Sequence, residues 1–190
     1  TSPAAMLVLI QKESALLTAS GSALTKRKYA AATGAGCPDF ARCDPTLANF
    51  FNQVYKAAHL FSRWRAEPSR LNYPVGVNKI QYHPKTSCGR ATVNVKNVAT
   101  GSLYTYTPYV PNAAALKAVS GEGDSCSAYG NRNFYRLMKL WFPSAMNSST
   151  ASPIVPGGGS SGSTSSSSSL SWTKLTTTGK EIAATRITGG

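Results

Sequence analysis

Residues 144–171 limit the fold more than any other stretch. Just beyond Pro143 the chain enters NSSTASPIVPGGGSSGSTSSSSSLS, a Ser/Gly/Pro-rich tract. Such a composition buries too little apolar surface to offset its ordering entropy, so it predicts a flexible linker. A core of useful size needs roughly 100 to 150 residues. That leaves residues 1–143 as the stretch able to build a domain. Residues 172–190 alternate enough for a strand or two but are too short for a core, and they read as the start of a further module or a tail.

Charge narrows the partners. Twenty Lys and Arg face seven Asp and Glu, a formal charge of +13. Such a balance draws a chain to something anionic: nucleic acid, anionic lipid or an anionic cell-wall polymer. Apart from KRK at 26–28 the basic residues occur singly, with no zinc-finger spacing, RNA-binding aromatic signature or basic leucine-zipper pattern, so nucleic acid is not the expected partner. The longest apolar run near the start, LVLI, is far too short to cross a bilayer, so no transmembrane segment is expected.

Four cysteines, Cys37, Cys43, Cys88 and Cys126, and two histidines, His59 and His83, lack the tight clustering of a zinc site. Disulfides are the expected use of the cysteines. Three pairings are open in principle; the spacing within CPDFARC favours Cys37 with Cys43 and leaves Cys88 with Cys126. Paired cysteines imply an oxidising compartment, hence a secreted protein. Nothing in the pattern asks for a metal or cofactor, and a monomer is expected.

Thr1-Ser2-Pro3 reads as a helix start, a hydroxyl cap followed by a proline suited to the first turn, and predicts a helix from about Pro3 to Leu17. On the 3.6-residue period Met6, Leu9, Ile10, Glu13 and Leu17 share one stripe, while Val8, Lys12 and Ala15 lie opposite, which leaves Lys12 facing water. Asp44-Pro45-Thr46 predicts a second helix start, with Leu47, Phe50, Phe51, Val54, Ala58, Phe61 and Trp64 as its buried face and Glu67-Pro68 as its stop. Within residues 71–97, VGVNKIQYHP and RATVNVKNV alternate and predict an antiparallel hairpin with Cys88 in its turn. An aromatic segment then leads through Pro111-Asn112 into a short helix, and NRNFYRLMKLWF sets Phe134, Leu137, Met138 and Trp141 on one face of a last helix. The class is α+β, mainly helical with one small sheet.

Glu13 is the candidate for chemistry. A carboxylate on a buried stripe is costly when ionised, so it is expected to keep its proton and to be able to hand it to a leaving group, as glycosidic cleavage requires. A second carboxylate, which glycosidases usually need, is limited nearby to Asp39 in a Pro-Asp turn and Asp44 at a helix start. Ser14, His59 and Asp39 are triad residue types without a nucleophile elbow, His83 near a paired Cys88 lacks a free thiol to work with, and GEGDS is too poor in acids for a calcium loop.

The segments QKESALLT, CPDFARCD, FFNQVYKAAHLFSRW, NKIQYHPKTSCG, LYTYTPYVPNAAAL and GDSCSAYGNRNFYRLMKLWF, spread over about residues 3 to 143, resemble a family of secreted actinobacterial and phage-associated cell-wall proteins, often described as haemagglutinin-like or as peptidoglycan hydrolases. The apolar helix ending in Glu-Ser is similar to the catalytic helix of lytic transglycosylases and goose-type lysozymes. The resemblance implies a lysozyme-like catalytic domain over 1–143, followed by a linker over 144–171 and a separate module. It places Glu13 as general acid and sets Tyr104, Tyr106, Tyr109 and Asn112 near the sugar, with Tyr106 and Tyr109 foremost. In transglycosylases the substrate's own 6-hydroxyl can replace attacking water, which suits a chain so short of acids. The expected substrate is the peptidoglycan glycan strand, cut between N-acetylmuramic acid and N-acetylglucosamine, with anionic wall polymers as partners. The competing expectation is a non-catalytic wall-binding or adhesion module.

Overall fold

The computed structural model describes residues 1–147, and the expected linker and tail lie outside the described residues except Ser144–Asn147. The structure is mixed, mainly helical with one two-stranded antiparallel sheet, which α4 (Val98–Tyr106) contacts through its second strand. Helix α1, Pro3–Ser14, is the central element and packs on two others, α3 (Phe50–Ala66) and α6 (Gly130–Trp141). Val8 is fully buried, contrary to the single-stripe expectation, so the apolar surface of α1 is wider than one stripe. Met6, Leu9 and Ala57 form one core cluster, with Ala58, Phe61, Tyr106 and Phe134 against it. Ile10, Leu16 and Ala32 form a second, with Val54 beside it.

Helix α1 stops three residues before its expected end. Ala15 turns into the left-handed region at φ 54° and returns its amide to the Gln11 carbonyl at 2.9 Å. Leu17 therefore leaves the stripe and is exposed. At the other end Ser2 makes no side-chain cap; Thr1 instead ties the start of α1 to α3, its Oγ1 donating to the Ala58 carbonyl at 2.9 Å.

The second predicted helix is split. Asp44 caps only a 3₁₀ turn, Pro45–Leu47, and Asn49 caps α3 itself by accepting from the Asn52 amide at 2.8 Å. Phe50 and Phe51 lie on its exposed side, with Phe51, Tyr55 and His59 stacked in sequence along the surface. The buried residues of α3 are Gln53 and Ala57. Gln53 acts as an internal clamp: its Oε1 accepts from the Thr33 and Ala35 amides, and its Nε2 donates to the Ala35 and Leu47 carbonyls.

Strands β1 (Gly76–Gln81) and β2 (Arg90–Val95) pair in the register Gly76↔Val95 to Gln81↔Arg90, burying Ile80 and Val95 while Val77 faces solvent. Helix α2 (Lys26–Ala30) carries the KRK cluster. The aromatic segment is itself helical over α4, Val98–Tyr106, whose cap is Asn97. Short helices α5, Ala113–Lys117, and α7, Pro143–Asn147, flank α6. Both disulfides form, Cys37–Cys43 and Cys88–Cys126. The second spans 38 residues and ties the hairpin turn to the loop before α6. Replacing Cys88 and Cys126 together by Ser is expected to cost about 4 kcal/mol, read by equilibrium unfolding.

Candidate active site: a cleft at the end of the first helix

The open end of α1 forms one wall of a cleft of about 910 Å³, which also draws residues from α2, the Cys37–Cys43 loop, the hairpin turn, the segment after α4 and the start of α6.

Glu13 lies on this wall, although its environment differs from the expectation. Its side chain is 29 % exposed, whereas that of Lys12 is 4 % exposed, and Lys12 Nζ lies 2.6 Å from Glu13 Oε1. The two expected orientations are thus exchanged. The buried ammonium is held twice, by Glu13 and by Thr107 Oγ1 at 3.0 Å. Glycine at 130 leaves room for it, since a Cβ there would meet Lys12 Nζ at 3.3 Å and the Thr107 methyl at 2.7 Å. The premise of an unpaired carboxylate on a buried stripe is therefore not met.

Gly34 forms the floor beneath the carboxylate. It holds φ at +72°, and a Cβ there would lie 3.2 Å from Glu13 Cδ. Residues on either side of it, Thr33 and Ala35, are the ones clamped by Gln53. Substituting Gly34 by Ala is expected to displace the Glu13 carboxylate and, by forcing a Cβ into the left-handed region, to cost about 1–3 kcal/mol in equilibrium unfolding.

Of the other expected residues, Asp39, Tyr106 and Tyr109 join Glu13 in the cleft lining. Tyr109 donates its hydroxyl to Asp39 Oδ2 at 2.5 Å, and burial together with the Asp39 carboxylate pushes its phenol above the ordinary range. Tyr106 packs among Phe61 and Trp64, and its hydroxyl donates to the Thr33 carbonyl at 2.8 Å; burial raises its phenol too. Its role in the wall is thus partly architectural. Tyr104 instead packs edge-on to Tyr73, Asn112 caps α5, and Asp44 caps its 3₁₀ turn, so none of these three lines the cleft.

Two residues hold roles at the cleft that the sequence does not mark, His83 in its lining and Asn131 behind its wall. His83 lines the cleft, and its Nδ1 accepts from the Lys85 amide at 3.1 Å, which in the neutral ring assigns the proton to Nε2. Asn131, buried in α6, donates through Nδ2 to the Thr107 and Tyr109 carbonyls at 2.7 Å each and fixes the cleft wall to the helix. No sequence pattern marks either role. The triad residue types do not assemble: Ser14 is buried and bonded to the Ile10 and Ala32 carbonyls, while His59 lies on the outer side of α3.

Ser127, Ala128 and Tyr129 complete the rim, and Asp124 holds their loop by accepting from Asn112 Nδ2, Ser127 Oγ and the Cys126 amide. Those bonds, that from Asn112 first, lower the Asp124 carboxyl below the ordinary 3.8. A depressed folded value means the stabilisation is complete above 3.8 and is lost as pH falls through the folded value. Amide exchange at Cys126, corrected for the intrinsic rate, is therefore expected to speed up as pH falls through that value, and Asp124→Ala, which has no acceptor, to show the fast rate at every pH.

Among the described residues no helix is long and apolar enough to cross a membrane, and no three His, Cys, Asp or Glu side chains cluster to hold a metal ion. No family model, curated protein or solved structure matches the chain.

Proposed function

We propose that the protein is a secreted glycosidase of lysozyme-like type that cuts the peptidoglycan strand between N-acetylmuramic acid and N-acetylglucosamine. The observation that carries this reading is the cleft of about 910 Å³ that brings Glu13 together with Asp39 and with Tyr109, whose ring suits a pyranose face, while Tyr106 builds the wall behind them. The resemblance of QKES and the segments after it to wall-lytic proteins points the same way, as do two disulfides and a strongly basic chain in contact with an anionic wall.

Glu13 supplies the proton to the glycosidic oxygen. Lys12 occupies Oε1, so an ammonium competes with a proton for that atom, and Oε2 on the Gly34 side is the oxygen left for the substrate. Thr107 gives Lys12 a second partner to rest on while Glu13 engages the sugar. Asp39, braced by Tyr109, is the carboxylate available to steady the positive charge that develops on the ring. Capture by the substrate's 6-hydroxyl gives a 1,6-anhydro end; capture by water gives a reducing end. Digesting purified wall and weighing the fragments by mass spectrometry separates the two, and Asp39→Asn is the variant to run beside the wild type.

The Lys12–Glu13 ion pair is also the observation that favours a second reading, a catalytically silent wall-binding module in which the same cleft holds glycan without cutting it. Protein that pellets with wall while releasing no fragments is the result that selects it.

A further inference from the structure

A second recess, of about 740 Å³, runs along α1 and α6 and is lined by Gln11, Lys12, Asn133, Tyr135, Arg136, Leu137, Lys139 and Leu140. Its lining contains no carboxylate and, besides Lys12, which Glu13 already holds, two exposed cations, Arg136 and Lys139. Tyr135 and Leu140 are 54 % and 73 % exposed, so apolar surface lies open beside the charges. Lys12 belongs to the walls of both recesses, and α6 runs from one to the other: Gly130 lines the cleft, and Arg136 and Lys139 line the groove.

We propose that this groove binds the anionic stem peptide carried by a muramic acid whose sugar lies in the cleft, an inference that rests on the glycan reading of the cleft. At 1.5 Å per residue, Arg136 and Lys139 lie roughly 9 and 14 Å along α6 from Gly130. An extended peptide of three to five residues covers roughly 10–17 Å. The reach matches. A stem peptide carries free carboxylates along its length and alternates them with small apolar side chains, which fit the pairing of Arg136 and Lys139 with Tyr135 and Leu140. Arg136 can take a carboxylate with two parallel N–H bonds, and Lys139 adds a mobile point charge.

Calorimetric titration at fixed salt with three probes tests this: a soluble disaccharide-tetrapeptide, the same disaccharide without peptide, and the tetrapeptide alone. Wild type is expected to bind the first about tenfold more tightly than the second. Arg136→Glu combined with Lys139→Glu is expected to erase that difference while binding the bare disaccharide within about twofold of wild type. Both side chains are exposed on α6, and a matched thermal melt verifies that the helix is intact. No peptide advantage in wild type, or an equal loss for both saccharides in the variant, overturns the proposal. Binding of the tetrapeptide alone, lost in the variant, with no binding of the bare disaccharide supports the groove and removes the glycan reading of the cleft. Binding of none of the three overturns both.

Discussion

Glu13→Gln is expected to lower the release of wall fragments by about 10³-fold, the range in which general acids contribute. The substitution keeps size and hydrogen bonding while removing the proton that the glycosidic oxygen needs. It also strips Lys12 of its anion, and Lys12 is the buried member of the pair. Breaking a fully buried pair costs roughly 3–5 kcal/mol; with Glu13 partly exposed and Thr107 still holding the ammonium, about 2 kcal/mol is expected. The two effects separate in the double variant Lys12→Met with Glu13→Gln. Thermal melting is expected to recover most of the lost stability in the double variant, whereas fragment release stays at the single variant's level. Recovery of activity along with stability would mean that Glu13 acts through folding alone.

Gln53→Leu is expected to destabilise the domain by about 4 kcal/mol in denaturant unfolding, because leucine of similar volume leaves the Thr33 and Ala35 amides and the Ala35 and Leu47 carbonyls without their buried partner. The effect is not confined to stability. Gln53 fixes the Thr33–Ala35 segment that carries Gly34 under Glu13, so fragment release per folded molecule is expected to fall as well. A variant with wild-type stability would show that these four groups find other partners.

Particular residues show what local pattern carries and what it misses. The hairpin was legible because both strands alternate, and its register buries Ile80 and Val95 on one face. The Cys37–Cys43 pair followed from short spacing, and it left one partner each for Cys88 and Cys126. Periodicity found α1 but misjudged its last turn, since it cannot see that Ala15 goes left-handed, that Val8 is buried, or that the start of α6 comes up against Lys12. Gln53 was hidden for a related reason: a polar residue on a helix reads as exposed unless a distant loop brings it the backbone groups to satisfy. The aromatic run masked α4, whose Tyr106 and Tyr104 serve packing more than display. In the site, Glu13 and Asp39 come from segments that only the tertiary fold brings to one cleft, and Tyr109 joins them through its bond to Asp39.

The central claim is that Glu13 and its cleft cut glycan, and counting new chain ends in purified peptidoglycan tests it most directly. Wild-type protein is expected to generate many saccharide ends per molecule of protein, anhydro or reducing, with no rise in free amino groups, and Glu13→Gln is expected to abolish them while still folding. New amino groups, no new ends at all, or equal numbers of saccharide ends from wild type and Glu13→Gln would contradict it.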